Sequence, residues 1–554
     1  MKDTEVSMGR KQAVCILSFL IAVMLFPPTA QPQAKKATTA TAKKKGTAPP
    51  PQVRMSWQDF ISGPDGAKRL TSLQAAITKM KSLDSAPKTS ADYRRSWEYW
   101  ANIHGYYGTQ SPDGTVADQI QYLKSQGMQQ YLSYYQGITD QTPPDATAKT
   151  VWATCQHSGQ TQALNFFGWH RMYLYYFERV LRWAANDNTL RLPYWDYTDP
   201  SQLELPTNFQ STSAPLYDAK RNPDINNGSA TLDSSSTDVN TLLPNPSYFD
   251  YESAIEEGIH GYVHCTVGPT CPVAHMGDVP VAGNDPIFYH HHANIDRLWA
   301  CWQHLHPTPA GAWQNQQFSF VDETGALVKK PVKGFLNTTT LGYKYENDSN
   351  CARPGTALLA THVVGPVAVG PGTPVENKQV LGTAQGVSVK DAVTTVDIAV
   401  PKPTMQTALA HLENAQDMQL VLRDVTADSH PGVLFNVYLA RKDDPSKRER
   451  VGTINWFGAF RSHGGQRMKP KKTLRYDVTS EVKALDGGTL SDQGLTVVIE
   501  ATTGVVPKES AKATEMPKQA AQAFRKEANV RIGSIELRAA GAAPPAPKPK
   551  PKKK

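Results

Sequence analysis

Ile259-His260-Gly261-Tyr262-Val263-His264, followed by Asp285-Pro286-Ile287-Phe288-Tyr289-His290-His291-His292-Ala293-Asn294-Ile295-Asp296-Arg297-Leu298-Trp299, decides how this chain reads. Spaced four apart, His260 and His264 project from one helical face. In the second segment Phe288, His292, Ile295, Trp299 and Trp302 recur at helical spacing, which places His292 on an apolar stripe. His291 is turned about 100° away from it. Two more stretches repeat the pattern. Tyr93, Trp97, Trp100 and His104 follow a helix-start signal at Ser90-Ala91-Asp92, and His170, Tyr173, Leu174, Phe177 and Leu181 share one stripe of Phe167 to Ala184. Four helices with inward side chains form a bundle of the kind that holds two metal ions. A histidine pair at i,i+4 taken alone also fits a surface pair or a zinc site, and a lone histidine on an apolar face is most often a core residue. Six histidines, His104, His157, His170, His260, His264 and His292, form two sets of three neutral imidazoles. Such sets suit copper, with a position left open on each ion.

These segments resemble those of the tyrosinase, catechol oxidase and hemocyanin family of coupled dinuclear copper proteins. His170-Arg171-Met172-Tyr173-Leu174-Tyr175-Tyr176-Phe177-Glu178-Arg179 is also very similar to the family's first copper segment. The resemblance implies two copper ions as cofactor. His292 lies seven residues after Asp285 and four before Asp296, which matches the family's ligand position; His291 then reads as packing around the site, and His290 has no reading. Only His104, His157 and His170 precede residue 260, so three ligands in the first half are these. The family usually places its second ligand nine positions before the third, where this chain has Thr161. His157 lies thirteen back, which an insertion within Ser158 to Leu164 explains. His275, His304 and His306 read as structural or exposed.

The resemblance assigns further roles. Cys155-Gln156-His157 has the Cys-x-His spacing at which some members join the cysteine to the ligand by a thioether; a free or disulfide-bonded Cys155 is the alternative. Glu256, four residues before His260, occupies the position of the carboxylate that serves relatives as general base or water holder, while Glu257 reads as a surface acid. Tyrosinase-like members often carry Asn directly after the first ligand of the second copper, whereas this chain has Gly261. Val279 stands at a gate position where several catechol oxidases have Phe. Gly261 and Val279 together imply a diphenol oxidase with an accessible pocket.

With 554 residues the chain exceeds one core and implies two domains with extensions. Residues 1–34 read as a signal peptide: Lys2, Arg10 and Lys11 precede the apolar run Ala13 to Phe26, which is short for a membrane span and is followed by Pro27-Pro28-Thr29-Ala30. The net charge of +8 comes from tails. Lys35, Lys36, Lys43, Lys44 and Lys45, with Lys548, Lys550, Lys552, Lys553 and Lys554, lie in low-complexity sequence, and the remainder is slightly acidic, so no specific nucleic-acid partner is implied. Cys15 leaves with the signal. Cys265, Cys271, Cys301 and Cys351 allow two disulfides in three connectivities in an exported protein.

The expected fold is α+β and multidomain. A disordered linker at 35–54 leads to a helical dicopper domain at 55–353, a Gly/Pro-rich linker at 354–385, a β-sandwich-like domain at 386–540 and a basic tail at 541–554. The β-rich part resembles the C-terminal domain that covers the active site of plant-type polyphenol oxidases. The chain is thus expected to be an exported, periplasmic or extracellular copper-dependent polyphenol oxidase without a transmembrane segment after signal removal. It would take O2 and small phenols, oxidising ortho-diphenols to ortho-quinones, with tyrosinase-type hydroxylation of monophenols left open. A hemocyanin-like reversible O2 carrier is the alternative, and a structural zinc protein a third reading.

Overall fold

The computed structural model describes residues 50–158, 165–240, 242–348, 378–412, 418–460, 462–463, 466–467, 470–486, 490 and 494–540. The signal peptide, both basic runs and residues 354–377 of the expected Gly/Pro-rich linker lie outside them. Among the described residues no helix is long and apolar enough to cross a membrane.

Five helices build the bundle: α1 (Trp97–His104), α2 (Phe166–Ala185), α3 (Tyr248–Ala254), α4 (Gly261–Val267) and α5 (Ile287–Leu305). Helix α1 starts later than Ser90-Ala91-Asp92 suggests. Tyr93–Arg95 form a single 3-10 turn, and the Ser96 hydroxyl caps α1 by accepting the Tyr99 N–H at 3.1 Å. Asp285 starts α5, its carboxylate accepting the Ile287 N–H at 3.0 Å while Arg221 grips both of its oxygens at 2.7 and 2.8 Å. Between α3 and α4 the chain runs through a π-helical turn, Ile255–His260. The histidine pair therefore straddles a π–α junction instead of lying on one uniform helix, a common device at functional sites.

Asp296, one turn after His292, anchors α5 to the rest of the bundle. It accepts from Arg171 Nε at 2.5 Å, Arg54 at 3.3 Å, Tyr343 at 2.7 Å and Tyr345 at 2.6 Å. The buried Arg54 also reaches Glu178 at 2.8 Å and lies 3.7 Å from the Tyr343 ring centre. Residues 50–54 thus depart from the expected disordered linker: Gln52–Arg54 pair in parallel with Tyr343–Tyr345 because Arg54 answers two buried carboxylates.

The C-terminal part, from Lys378 to Ala540, is a β-sandwich, its strands counted after the short strand β1 (Ala230–Leu232) of the helical part. Its strands are β2 (Lys378–Val389), β3 (Val393–Ile398), β4 (Met418–Thr426), β5 (Leu434–Arg441), β6 (Arg448–Ile454), β7 (Lys472–Asp477), β8 (Leu495–Thr502), β9 (Val505–Pro507) and β10 (Val530–Ala540). Two antiparallel sheets, ordered β6-β5-β8-β3 and β7-β4-β10-β2, enclose Leu420, Leu422, Val437, Leu439, Val497, Ile499, Ile532 and Leu537. Strand β2 begins inside the stretch expected to be linker. Its pairing with β10 from Val389–Val530 to Lys378–Ala540 supplies a long-range ladder that its local Gly content conceals.

The two parts are stitched together. Strand β9 pairs antiparallel with β1, Tyr262 Oη donates to Gly504 O at 2.7 Å, Lys472 meets Glu257 at 2.7 Å, and Arg450 pairs with Asp233.

Candidate metal centre

Helical geometry and aromatic packing bring five of the six predicted histidines around one point. His170 and His292 stack at 4.5 Å between ring centres, His260 lies 4.6 Å from His264 and 5.1 Å from His292, and His104 lies 6.0 Å from His170. Two groups have potential ligand atoms mutually within 4.8 Å: His260, His264, His291 and His292, and His104, Cys155 and His170. The sixth histidine, His157, belongs to neither group. Its side chain is 42% exposed and its Nδ1 donates to Glu256 Oε1 at 2.7 Å. Cys155, two residues earlier, places Sγ 3.6 Å from His170 Nε2.

Backbone carbonyls fix the tautomers. Nδ1 donates to Val279 O from His104 (3.1 Å), to Phe166 O from His170 (2.7 Å), to Glu256 O from His260 (3.2 Å) and to Met276 O from His264 (2.7 Å). A proton held at Nδ1 leaves Nε2 as a bare lone pair. Burial pushes His170 down to about 4 and His264 to about 3, and holds His260 and His292 well below the ordinary range, with neighbouring imidazoles adding to the effect. All four are neutral near pH 7. His260 Nε2 is buried without a hydrogen-bond partner, and the Nε2 atoms of His264 and His292 face each other at 3.4 Å. With His264 Nε2 a bare acceptor, and His260 Nε2 and His292 Nδ1 both buried without a hydrogen-bond partner, these residues fit a metal.

Sequence reasoning missed part of this geometry. His291, read as packing, belongs to the group with His260, His264 and His292: it stacks on His260 at 5.4 Å and its Nδ1 lies 2.8 Å from Tyr197 Oη. His290, which had no reading, is a core histidine that donates to Pro193 O at 2.8 Å and meets Trp57 edge-on. His275 faces Asp218 at 2.5 Å and His306 reaches Leu243 O at 2.9 Å, both structural contacts.

Glu256 is buried in the π-turn and accepts from His157 Nδ1 and the Ser158 N–H. Burial raises its pKa, but the His157 charge and these hydrogen bonds outweigh it, so Glu256 sits below the ordinary value and is ionised at neutral pH. One turn back, Glu252 goes the other way. Burial and the Glu256 charge push it up to about 8, while Phe167 N–H and Tyr248 Oη donate to its Oε1 at 3.0 and 3.2 Å. A carboxyl whose folded pKa is raised contributes stability that is complete below its ordinary value and is lost as pH rises through about 8. Glu252→Gln cannot ionise. Its stability relative to the parent is therefore expected to rise between about pH 5 and 8, by at most roughly 1.4 kcal/mol per pH unit. Urea unfolding across that range checks this; a constant difference contradicts it.

The β-sandwich closes the centre from outside. Phe457 stacks on the His264 ring at 3.9 Å with the planes 9° apart and meets His260 edge-on at 5.3 Å. Asn455 is fully buried and donates from Nδ2 to Glu257 O and Gly258 O. It fills the space beside Gly261, where a Cβ would lie 2.4 Å from Asn455 Oδ1. Val279 is buried and borders a small cavity with Pro280, Gly458 and Phe460. In the sequence Asn455-Trp456-Phe457 belongs only to the likeness to a covering C-terminal domain; which of its side chains meet the histidines, nearly 200 residues away, was not legible.

Comparison with known proteins agrees with this geometry. The common central domain of tyrosinase matches residues 94–230 and 204–305, and the polyphenol oxidase middle domain matches 311–353. The chain is 29% identical over 338 residues to a chloroplastic polyphenol oxidase of Malus domestica, covering 52% of this chain and 56% of that protein. It is 27% identical over 423 residues to the tyrosinase HcTyr1 of Hahella sp., covering 69% and 81%. The match thus spans little more than half the length of the Malus relative. Among solved structures, latent aurone synthase, a polyphenol oxidase, shares the fold with a TM-score of 0.53 at 20% identity, covering 90% of this chain and 92% of that one. Residues 94–305 thus form a tyrosinase-type central domain, followed by a polyphenol oxidase middle domain at 311–353.

Proposed function

We propose that this protein is an exported copper-dependent polyphenol oxidase that oxidises ortho-diphenols to ortho-quinones with O2. The observation that carries the reading is the convergence of buried imidazoles, with the Nδ1 protons of His104, His170, His260 and His264 tied to carbonyls and the Nε2 atoms of His264 and His292 3.4 Å apart. His104, His157 and His170 would hold one copper, and His260, His264 and His292 the other. Two copper ions held there would supply the redox couple between ortho-diphenols and O2. His157 donates a hydrogen bond from Nδ1 to Glu256, which leaves Nε2 to face a metal. Ionised Glu256 is the group placed to take a phenolic proton, directly or through a water. Gly261 offers no side chain to assist it, which favours diphenols over monophenols.

The experiment is a matched pair of initial rates, on a monophenol and its diphenol, before and after limited proteolysis within residues 354–376. Diphenol oxidation is expected to rise on cleavage and to exceed monophenol hydroxylation; absence of diphenol turnover in the cleaved, copper-loaded protein contradicts the reading. A reversible O2 carrier is the second reading, favoured by the Phe457 ring lying over the histidines. It would bind O2 without catechol turnover after the same cleavage.

We further propose a thioether between Cys155 and His157. A peptide containing both residues is expected to weigh two hydrogens less than its sequence after copper loading in air. A Cys155 that alkylates fully in active protein contradicts the link.

A further inference from the structure

The segment between α4 and α5, residues 268–286, gives a backbone acceptor to one histidine of each set. Val279 O takes the Nδ1 proton of His104, and Met276 O takes that of His264. One loop therefore fixes the tautomers of ligands that come from helices far apart in the chain. The loop is tightly wound. Gly268 and Gly277 pack backbone to backbone, so that a Cβ on Gly277 would lie 2.1 Å from Thr270 O and one on Gly268 would lie 2.5 Å from Gly277 N. Asp278 receives Tyr107 Oη at 2.6 Å and Tyr135 Oη at 2.5 Å, and Pro272 O accepts from Gln119 Nε2 at 3.0 Å. The Cys265–Cys271 disulfide closes the loop covalently. Cys265 directly follows His264, so the bond ties the residue beside a ligand to the segment that holds that ligand's proton. Both cysteines are buried, 2% and 1% exposed, in the apolar cluster that continues into the β-sandwich.

We propose that the Cys265–Cys271 disulfide is a positioning element for both metal sets at once, acting through the carbonyls of Met276 and Val279. It rests on the dicopper reading only for the metal it serves; the tautomers it fixes belong to the metal-free chain. Without the bond the loop gains freedom, and His104 and His264 lose the partners that hold their Nδ1 protons.

Two variants of the full chain test this. C265S/C271S removes the bond without leaving thiols that bind copper, and Gly277→Ala forces the loop apart with both cysteines intact. Cu(I) affinity is read by competition with a chelator, and the tautomers by 15N resonances of labelled histidines in the metal-free protein. In both variants affinity is expected to fall about 10–100-fold at both copper positions, the range for losing outer partners of a ligand. The hydrogen-bonded Nδ1–H signals of His104 and His264 are expected to weaken together. If C265S/C271S fails to fold, Gly277→Ala decides. A loss confined to the His264 set, or unchanged affinity and tautomers, overturns the proposal. If the parent binds no copper, the dicopper reading fails and the histidine resonances alone decide the proposal.

Discussion

Replacing Phe457 by alanine is expected to raise catechol turnover of the uncleaved protein at least about tenfold. The ring lies parallel to His264 at 3.9 Å, so it occupies the space over a proposed copper ligand that an incoming phenol needs. Losing the stack and part of the ring's burial weakens the closed arrangement by about 2 kcal/mol, which is more than tenfold in the population of open sites. Gly261→Ala is expected to act in the same direction by a different route. Its Cβ would meet Asn455 Oδ1 at 2.4 Å, so the amide must leave the carbonyls of Glu257 and Gly258. Two lost hydrogen bonds in a buried place also cost about 2 kcal/mol of closure. Rates on catechol before and after cleavage within 354–376 check both variants, which should converge on the cleaved parent. If F457A leaves the uncleaved rate unchanged while cleavage raises it, the block lies elsewhere in the sandwich.

The second large effect is expected from His264→Ala. It should lower copper content to one ion per chain and reduce catechol oxidation by more than the ~100-fold typical of losing an outer-shell partner. His264 offers a bare Nε2 3.4 Å from that of His292, with its Nδ1 tied to Met276 O. His290→Phe is the contrast. Its imidazole is tied to Pro193 O and packed against Trp57 and Phe209, so this variant should keep its copper and lose only stability. Metal analysis of the two purified variants separates a ligand from a core histidine.

Helical periods made much of the centre legible in the sequence. The stripes through His104, His170 and His292 became buried faces because large aromatic residues recur with them, whereas the anchoring of α5 through Asp296 was not legible. What could not be read is long-range or set by backbone detail. The π-turn at Ile255–His260 leaves no mark in the residue spacing, and it carries Glu256, which meets His157. Arg54 looked like the end of a disordered linker, yet it is buried because Glu178 and Asp296 need its charge. Strand β2 was hidden by Gly382 and Gly386, the latter at φ +63, and by the Gly/Pro-rich sequence before it. His291 stands about 100° from His292 on an ideal helix, but where four imidazoles crowd one point that rotation still leaves both rings within the group.

The central claim is that two sets of three imidazoles hold one copper each. Copper and zinc content together with copper X-ray absorption, measured on one sample of the full-length protein, test it most directly. Two coppers per chain, no zinc, and scattering from imidazole nitrogen at both ions are expected. A single metal per chain, or zinc in place of copper, would contradict the account.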